Sequence, residues 1–349
     1  NLGANTNRAG GNRVMKIDEV MQAVAETHPG LERMVAFNLI GALSYRAIFN
    51  VAVAGTGKSA CTNTIGAYAR HVRKYEELTK TGLRHIEDEL DGFKGVVIID
   101  DIAKIQTTYC KLATVSTMCG LAYDHFVART THMFSFRIEN FYGAVLMNVQ
   151  PVIFRIIVKD DSWEAIVADK SLRYYHFIRP REPKEHLPKL DDVQVEPINS
   201  GPDVPGSIRT WPEWKQLYAI FRCQHSRARA IEHSLAMARG LAYLEGKDCV
   251  SPDVCEKLYQ ICKPMIVERY LITKTGFETG RDYANELHAL LTEFATYGNP
   301  VDLEDIATDF RISERRTYQI VSEMKQLVVV KKKKVYALRP LEALLEVIA

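Results

Sequence analysis

The feature that most constrains this chain is a glycine-rich turn between an apolar run and a helix-forming run. The stretch "AIFNVAVAGTGKSAC" (47–61) places β-forming residues before the turn and small, helix-compatible residues after Lys58. In a strand–turn–helix of this kind, successive backbone N–H groups and the helix dipole converge on one anion. The stretch therefore predicts a phosphate-binding loop on an α/β fold. A glycine-rich turn that holds no ligand is the alternative.

The loop follows the pattern G-x-x-x-x-G-K-[ST] except at its first position, where Ala52 replaces glycine. That position only starts the turn, and alanine is the smallest residue that can replace glycine there. Gly57 permits close approach of the backbone, Lys58 reaches the β- and γ-phosphates, and Ser59 binds Mg²⁺. The predicted nucleotide-binding residues are Ala52, Gly55, Thr56, Gly57, Lys58, Ser59 and Ala60.

A second apolar run ends in two acidic residues. In "GVVIIDDIAK" (95–104), Asp100 and Asp101 follow what reads as a fully buried strand. Open parallel sheets bind ligands at the carboxyl ends of their strands, so we expect Asp100 to hold Mg²⁺ and Asp101 to polarise the attacking water. A strand that ends in a solvated Asp-Asp turn is the alternative. Together the two runs predict a nucleoside triphosphatase with ATP and Mg²⁺ as ligands.

Strand-like and helix-like runs alternate up to the first dense cluster of prolines, which predicts a parallel α/β sheet. The runs "THMFSF" (131–136) and "FYGAVLMN" (141–148) read as a hairpin, followed by a helix around "SWEAIVAD" (162–169) and a strand "RYYHFIRP" (173–180). The predicted units are a linker or tail that could be the cut edge of a longer chain (1–16), an α/β core (17–180), a proline-rich linker or surface loop (181–208), a helical unit (209–275) and a C-terminal unit (282–345).

The C-terminal unit reads as a winged helix. A helix "LEDIATDF" (303–310), a second helix from Ser313 and the run "VVVKKKKVYAL" (328–338) give helix, turn, helix and a β-wing with a lysine tip. Nine basic residues face two acids between positions 311 and 339, which favours DNA, although winged helices also bind proteins. The predicted phosphate contacts are Arg315, Arg316, Lys331, Lys332, Lys333 and Lys334, with Tyr318 and Gln319 placed to read base edges.

Composition limits the class of protein. The chain has 349 residues, more than one core usually holds, and a net charge of only +2, so any surface for nucleic acid is local. No apolar run reaches the roughly 18–20 residues that span a bilayer, which predicts no membrane association. The seven cysteines are odd in number and form no C-x-x-C pair, which argues against a disulfide framework or zinc ribbon and favours the reducing cytoplasm.

The order of these motifs resembles that of AAA+ ATPases. Two further residues carry the resemblance: Asn148 ends the apolar run of "GAVLMNVQP" (143–151), and Arg173 precedes a strand in "DKSLRYYHFI" (169–178). The resemblance implies that Asn148 orients the hydrolytic water, as a sensor-one residue does. It implies that Arg173 is an arginine finger that reaches the neighbouring subunit's nucleotide, with Arg155 and Lys170 as competitors for that role.

The helical unit resembles the lid of minichromosome-maintenance (MCM) helicases. In "SRARAIEHSLAMARGLAYLEGKDCVSPDVCEKLYQI" (226–261), an S-x-x-R-x-x-E helix start is followed by small apolar residues and then by a V-S-x-D-V helix start. By this resemblance Arg229 is a sensor-two arginine that touches the γ-phosphate, and Glu232, on the same helical face, holds it in place. The alternative is a packed helical pair with a solvated Arg-Glu ion pair. The acidic strand end of the run 95–104, which corresponds to the Walker B motif of AAA+ ATPases, has Asp101 where most of these ATPases have glutamate.

The resemblance implies a P-loop NTPase core of the AAA+ kind with a helical lid and a C-terminal winged helix. It implies a homo-oligomer in the form of a hexameric ring, with DNA and further replication proteins as partners and Arg137 on a pore-lining hairpin. The leading hypothesis is an ATP-driven replicative DNA helicase or motor, encoded by a mobile element. The alternatives are a helicase loader, initiator or transposition regulator that uses ATP as an assembly switch, and a DNA-binding regulator with structural nucleotide.

Overall fold

A five-stranded, all-parallel sheet lies at the centre of the molecule, with helices on both faces, so the predicted α/β class is confirmed. The structure is a computed structural model. It describes residues 15–52, 54–76, 78, 82–130, 135–160, 163, 167–176, 182–191, 193–196, 198, 201–266, 268, 301–304, 307, 313–323 and 328–337.

The strands of the central sheet run in the spatial order β2-β3-β6-β1-β7. Strands β4 and β5 pair with each other in a separate antiparallel hairpin. The strands up to this point are β1 (Ala47–Ala52), β2 (Val72–Tyr75), β3 (Lys94–Ile99), β4 (Val127–Thr130), β5 (Ser135–Ile138), β6 (Tyr142–Val149) and β7 (Ser171–His176).

Eleven helices are described here. They are α1 (Ile17–Thr27), α2 (Glu32–Leu43), α3 (Lys58–Tyr68), α4 (Gly82–His85), α5 (Glu87–Leu90), α6 (Thr108–Asp124), α7 (Pro151–Val158), α8 (Pro212–Phe221), α9 (Arg227–Leu244), α10 (Pro252–Cys262) and α11 (Glu314–Glu323). None of the described helices is long and apolar enough to cross a bilayer.

Neighbouring residues of β1 show how the two faces are covered. The side chain of Asn50 bonds to Asn38 of α2, whereas the ring of Phe49 lies 5.6 Å from that of Phe154 on α7. Because successive strand residues point to opposite faces, α2 and α7 cover opposite sides of the sheet. Helix α3 packs beside α2 and α6 packs beside α7, which completes the two layers.

The predicted hairpin of 131–136 with 141–148 is wrong. The antiparallel pair is β4 with β5, while β6 joins the central sheet in parallel with β1 and β3. The cause is burial: β6 is apolar almost throughout and is buried on both faces, which suits a central strand rather than an exposed hairpin. Half of the predicted helix at 162–169 lies outside the described residues, and the next strand begins at Ser171.

The described parts of the proline-rich segment lie against the core. The Tyr68 hydroxyl of α3 donates to the carbonyl of Pro188 and accepts from the amide of Leu190. Further along, the amide of Val195 donates to the Tyr68 carbonyl, and Leu190 and Val195 are buried. A segment with prolines at this density forms no regular element, yet here it packs as an extended surface loop.

Helices α8, α9 and α10 form a three-helix unit that packs on α2. Prolines at 212 and 252 occupy the first turns of α8 and α10, where their missing N–H costs nothing. The C-terminal unit contains α11 and a three-stranded antiparallel sheet in the order β8-β10-β9. Its strands are β8 (Val301–Asp302), β9 (Val328–Lys331) and β10 (Lys334–Ala337). Most of the predicted helix 303–310 lies outside the described residues.

The closest contact between α9 and α2 predicts a stability effect. A Cβ added at Gly240 would overlap the Ser44 hydroxyl oxygen and would lie 2.9 Å from the carbonyl oxygen of Ile40. Because backbone cannot move aside cheaply, we expect Gly240→Ala to lower the free energy of unfolding by about 1–3 kcal/mol, measured by chemical denaturation. The matched control is Gly206→Ala, where a Cβ meets nothing within 4 Å and the change should stay within about 0.5 kcal/mol. Equal stabilities of the two variants would contradict this packing.

Candidate functional site

The carboxyl ends of three adjacent strands form one edge of the central sheet. Strand β6 lies between β1 and β3, with Asn50 opposite Asn148 and Ile99 opposite Met147. All pairings are parallel, so the residues that follow each strand emerge on the same side. This register brings together the glycine-rich loop after β1, Asp100 after β3 and Asn148 near the end of β6.

The glycine-rich loop has the backbone that its sequence predicts. Gly55 and Gly57 have φ angles of 78° and 87°, in the left-handed region that glycine adopts without strain. Gly57 is the N-cap of α3, so the first turn of that helix presents its amides to the loop. Ala52 is the last residue of β1, in extended backbone where alanine meets no strain. The replacement of the first glycine therefore causes no backbone strain at position 52 itself.

Lys58 lies at the start of α3 and folds back across the loop. Its ammonium donates to the carbonyl oxygen of Ala52 at 2.6 Å. Burial lowers the pKa of Lys58 to about 8, and the carboxylates of Asp101 and Asp100 partly offset that effect. The lysine is therefore a half-buried cation beside two acids, in the place where its sequence motif puts a phosphate contact.

Asp100 and Asn148 are in direct contact. The Nδ2 of Asn148 donates to Asp100 Oδ1 at 3.2 Å and to the Thr62 hydroxyl at 3.1 Å. Asn148 is fully buried, whereas the Asp100 side chain is 18% exposed and its other oxygen lies 3.6 Å from the ammonium of Lys74. The carboxylate thus stands at the boundary between the buried amide and solvent.

Asp101 points along the turn that follows β3. Its Oδ1 accepts from the amide of Ala103 at 2.9 Å and so caps the short 3₁₀ helix Ile102–Lys104. Its charge still acts on Lys58, so it lies near the loop as the sequence predicted. One carboxylate oxygen is therefore committed to the backbone.

The donor set of this edge suits Mg²⁺ held together with phosphate. Within the described part of the chain, no group of three or more His, Cys, Asp or Glu side chains could hold a metal by itself. Mg²⁺ is usually held by one or two protein oxygens plus phosphate oxygens and water. The exposed hydroxyl residue Ser59 and the carboxylate of Asp100 fit that pattern.

Arg173 does not lie where an arginine finger would. Its side chain is 1% exposed, and its Nε lies 2.8 Å from Oε2 of the buried Glu268. The remaining guanidinium donors bond to the carbonyls of Ala168, Ser171 and Gln224. A side chain enclosed in this way does not project to another subunit. Arg173 lies within the buried strand β7 rather than before it, and the sequence pattern alone could not reveal its partner 95 residues away.

Arg229 does not meet Lys58 within the subunit. Its guanidinium lies 4.3 Å from the centroid of the Tyr123 ring, and the predicted ion pair with Glu232 is present at 3.0 Å. Tyr123 is near the end of α6, and Arg46, which directly precedes β1, interacts electrostatically with Glu232 and Arg229. Six residues of strand, roughly 20 Å, therefore separate Arg229 from the loop edge.

Lys170 lies beside Arg229 at this far edge. Its ammonium forms an ion pair with Asp124 and lies 5.9 Å from the Tyr123 ring. Both cations are partly exposed, by 24% for Lys170 and 36% for Arg229. Of the predicted competitors for a trans role, Lys170 is thus available at the surface, while the side chain of Arg155 lies outside the described residues.

The predicted DNA contacts are exposed on two units. Arg137 on β5 bonds to Glu139 and lies 5.7 Å from the Phe126 ring. In the C-terminal unit, the turn between β9 and β10 consists of two lysines with positive φ, which gives the predicted lysine-tipped hairpin. The exposed cations there are Arg315, Arg316, Lys331, Lys332, Lys333 and Lys334.

Four further residues belong to the site that the sequence motifs did not indicate. Lys74 and Thr62 contact Asp100 and Asn148 respectively, and Asn50 donates to Asn148 Oδ1 at 3.2 Å. Asn38 pairs with Asn50 one step further from the loop. Only Asn50 leaves a readable signal, because a polar residue in the middle of the apolar run "AIFNVA" requires a buried partner.

No protein-family model and no curated protein sequence matches the chain. The function is therefore inferred from the side chains gathered at the loop edge and from the sequence motifs that they represent.

The lowered pKa of Lys58 predicts how nucleotide affinity depends on pH. A phosphate contact needs the ammonium form, which is present below pH 8 and is lost as the pH rises through 8. We expect the Kd of a non-hydrolysable ATP analogue to rise toward about tenfold per pH unit above this value. Lys58→Arg is the control, because a guanidinium stays charged and its Kd should change little between pH 7 and 9.5. A wild-type Kd that stays constant over this range would contradict the assignment.

Proposed function

We propose that this chain is a subunit of an AAA+ ATPase that acts on DNA as a ring, most simply as an MCM-like helicase or DNA motor. The observation that carries the proposal is the convergence at one sheet edge of the glycine-rich loop, Lys58, Asp100 and the amide of Asn148. A glycine-rich turn alone would not require the other two strands to end in polar groups. ATP and Mg²⁺ are the ligands that these groups suit.

The nucleotide is held by the loop and the start of α3. The loop amides and the ammonium of Lys58 bind the β- and γ-phosphates, where the helix N-terminus favours negative charge. Ser59 and Asp100 hold Mg²⁺, which, when bound, neutralises charge that develops on the phosphates. Lys58 retains its proton at neutral pH because its pKa is about 8.

Asp101 and Asn148 position the attacking water. Both Nδ2 protons of Asn148 are bonded, one to Thr62 and one to Asp100, so Asn148 positions a water against the γ-phosphate through the Asp100 carboxylate that it holds. Asp101 accepts a proton or polarises the water through the oxygen that does not cap Ile102–Lys104. Both residues leave binding of the phosphates to Lys58 and the loop.

A neighbouring subunit completes the site in this proposal. Arg229 and Lys170 share one surface, held by the Tyr123 ring, on the edge of the sheet remote from their own Lys58. In a head-to-tail ring, such a surface faces the next subunit's nucleotide. A guanidinium there would stabilise the charge of phosphoryl transfer, which is the role that Arg173 cannot fill from its buried position.

DNA contact is assigned to the exposed cations of the C-terminal hairpin and of β5. Lys332 and Lys333 form the tip of a hairpin beside α11, and Tyr318 on that helix is 56% exposed. This arrangement suits phosphate contacts from the lysines and a helix face toward the bases. In a ring, Arg137 of each subunit would add to one basic track.

The second candidate function is an ATP-dependent assembly switch without unwinding. The observation that favours it concerns Asp101, whose side chain is shorter than the usual glutamate. One of its carboxylate oxygens already accepts from the amide of Ala103 and so caps the next turn. Such a carboxylate activates water less effectively, and slow hydrolysis suits a loader, initiator or transposition regulator.

The test of the proposed function measures ATP turnover with and without DNA, and strand displacement in parallel. We expect DNA-stimulated turnover and unwinding in the wild type, and loss of both in Lys58→Ala because the phosphate contact is removed. Turnover without unwinding would support the switch instead. Absence of turnover, with DNA binding unaffected by Lys58→Ala, would exclude both and leave a DNA-binding regulator with structural nucleotide.

Mixed rings test the role of Arg229. Arg229→Ala and Lys58→Ala should each abolish turnover alone, because one lacks the trans cation and the other lacks the phosphate contact. In a random mixture, about a quarter of the interfaces combine an intact loop with an intact neighbour, so turnover should return to about that share. Glu196→Ala, at an exposed ion pair elsewhere, is the matched control and should not change turnover. A mixture that stays inactive would contradict the trans role.

A further inference from the structure

Three buried asparagines connect the interior of the molecule to the rim of the site. They are Asn38 on α2, Asn50 on β1 and Asn148 on β6, and each is fully buried. We propose that Asn38 and Asn50 are positioning residues whose amides fix the orientation of the Asn148 side chain for water activation. This inference rests on the proposed ATPase function, because it concerns the same site.

The first link is a reciprocal pair of amides. Asn38 Nδ2 donates to Asn50 Oδ1 at 2.8 Å, and Asn50 Nδ2 donates to Asn38 Oδ1 at 3.0 Å. The second proton of Asn38 Nδ2 goes to the carbonyl oxygen of Met34, one turn earlier on α2, at 2.9 Å. The amide of Asn38 is thereby fixed to its own helix, and Asn50 is fixed to Asn38.

The second link runs along the sheet. Asn50 and Asn148 lie opposite each other in the parallel pairing of β1 with β6. The second proton of Asn50 Nδ2 goes to Asn148 Oδ1 at 3.2 Å. Asn148 then uses its two Nδ2 protons on Thr62 and Asp100. Every amide proton and every amide oxygen in the chain of three residues has a partner.

The direction of these bonds can be deduced from the far end. A carboxylate such as Asp100 only accepts, so the group of Asn148 that faces it must be the NH₂. The Thr62 hydroxyl points to the carbonyl of Lys58 at 3.3 Å and therefore accepts from Asn148 as well. The Oδ1 of Asn148 must then face Asn50, which has to present a donor.

A primary amide is nearly symmetric in shape, so packing alone does not prevent a flip about the last side-chain bond. A flipped Asn148 would place its oxygen against the carboxylate of Asp100, which would lose the donor that holds it at the edge of the site. The proton from Asn50 excludes that state. The ammonium of Lys58 and the loop amides take no part in these hydrogen bonds, so binding of the phosphates should not depend on them.

The location of the chain argues against a purely structural network. Buried amides are costly wherever an apolar side chain would fit, and the run "AIFNVA" is otherwise apolar. The series of hydrogen bonds begins inside the layer between α2 and the sheet and ends at Asp100. The side chain of Asp100 is 18% exposed, whereas the three asparagines are fully buried. The polar end of the series is thus the candidate catalytic edge.

The main test replaces Asn50 with leucine, which has a similar size and no hydrogen-bonding group. We expect kcat to fall about tenfold or more, while KM and the Kd of a non-hydrolysable ATP analogue change less than about twofold. Thr64→Val is the matched control: Thr64 is a buried residue of α3 that bonds only its own helix, at Ala60, and kcat should not change. A wild-type kcat in Asn50→Leu overturns the proposal.

A readout without nucleotide comes from the side-chain amide of Asn148. In nuclear magnetic resonance spectra of the nucleotide-free chain, its NH₂ signals are those lost in Asn148→Asp. We expect them to exchange slowly with solvent in the wild type and more than about tenfold faster in Asn50→Leu, because the oxygen of Asn148 loses its donor. Equal exchange rates in the two proteins overturn the proposal.

A second variant remains informative if Asn50→Leu does not fold. Asn50→Asp keeps the shape, and the introduced carboxyl donates to Asn148 only when protonated. Asn38 and Asn148 are the polar groups that face this position, with Asp100 beyond them, and burial raises the pKa of such a carboxyl. We expect the ratio of variant to wild-type kcat to fall as the pH rises from 6 to 9. A constant ratio overturns the proposal.

Failure of the positioning role of Asn38 and Asn50 and failure of the proposed function give different results. A wild type without ATP turnover removes the proposed function. If the wild type turns over ATP and Asn50→Leu matches it in kcat and in the exchange rate of the Asn148 amide, only the positioning role of Asn38 and Asn50 is excluded.

Discussion

The parallel pairing of β6 between β1 and β3 is the constraint on which the rest of this molecule depends. It sets Asn50 opposite Asn148 and carries Asp100 to the same edge as the glycine-rich loop. Parallel strands of this kind must be buried on both faces, which is why helices cover the sheet on each side. One hydrogen-bonding register therefore determines both the core and the position of the polar groups.

The parts of the fold and site that follow from local chain geometry were predictable from the sequence. The glycine-rich turn predicts the left-handed backbone of Gly55 and Gly57, and the apolar runs before Lys58 and Asp100 predict buried parallel strands. Because such strands end at one edge, the proximity of Lys58 to Asp100 followed as well. The sequence could not show that α/β alternation continued through β6, whose neighbours are set by long-range pairing.

The residues whose surroundings the sequence did not reveal are those whose partners are distant in the chain. Arg173 is enclosed by Glu268, and Arg229 rests on Tyr123 at the far edge of the sheet. Neither contact has a local pattern, since burial of a charge depends on which segment happens to supply the opposite charge. Asn50 is the reverse case: a polar residue in an apolar strand is a visible local conflict, and in the structure it bonds to Asn148 beside the candidate site.

The enclosed guanidinium of Arg173 has a mechanical consequence. It bonds at once to β7 through Ser171, to the segment after α8 through Gln224, and to Glu268 beyond α10. Separating these segments would break the ion pair with Glu268 and the hydrogen bond to the Gln224 carbonyl together. The side chain of Arg173 thus ties the three-helix unit to the central sheet at two points, so we expect these two parts of the chain to move as one body.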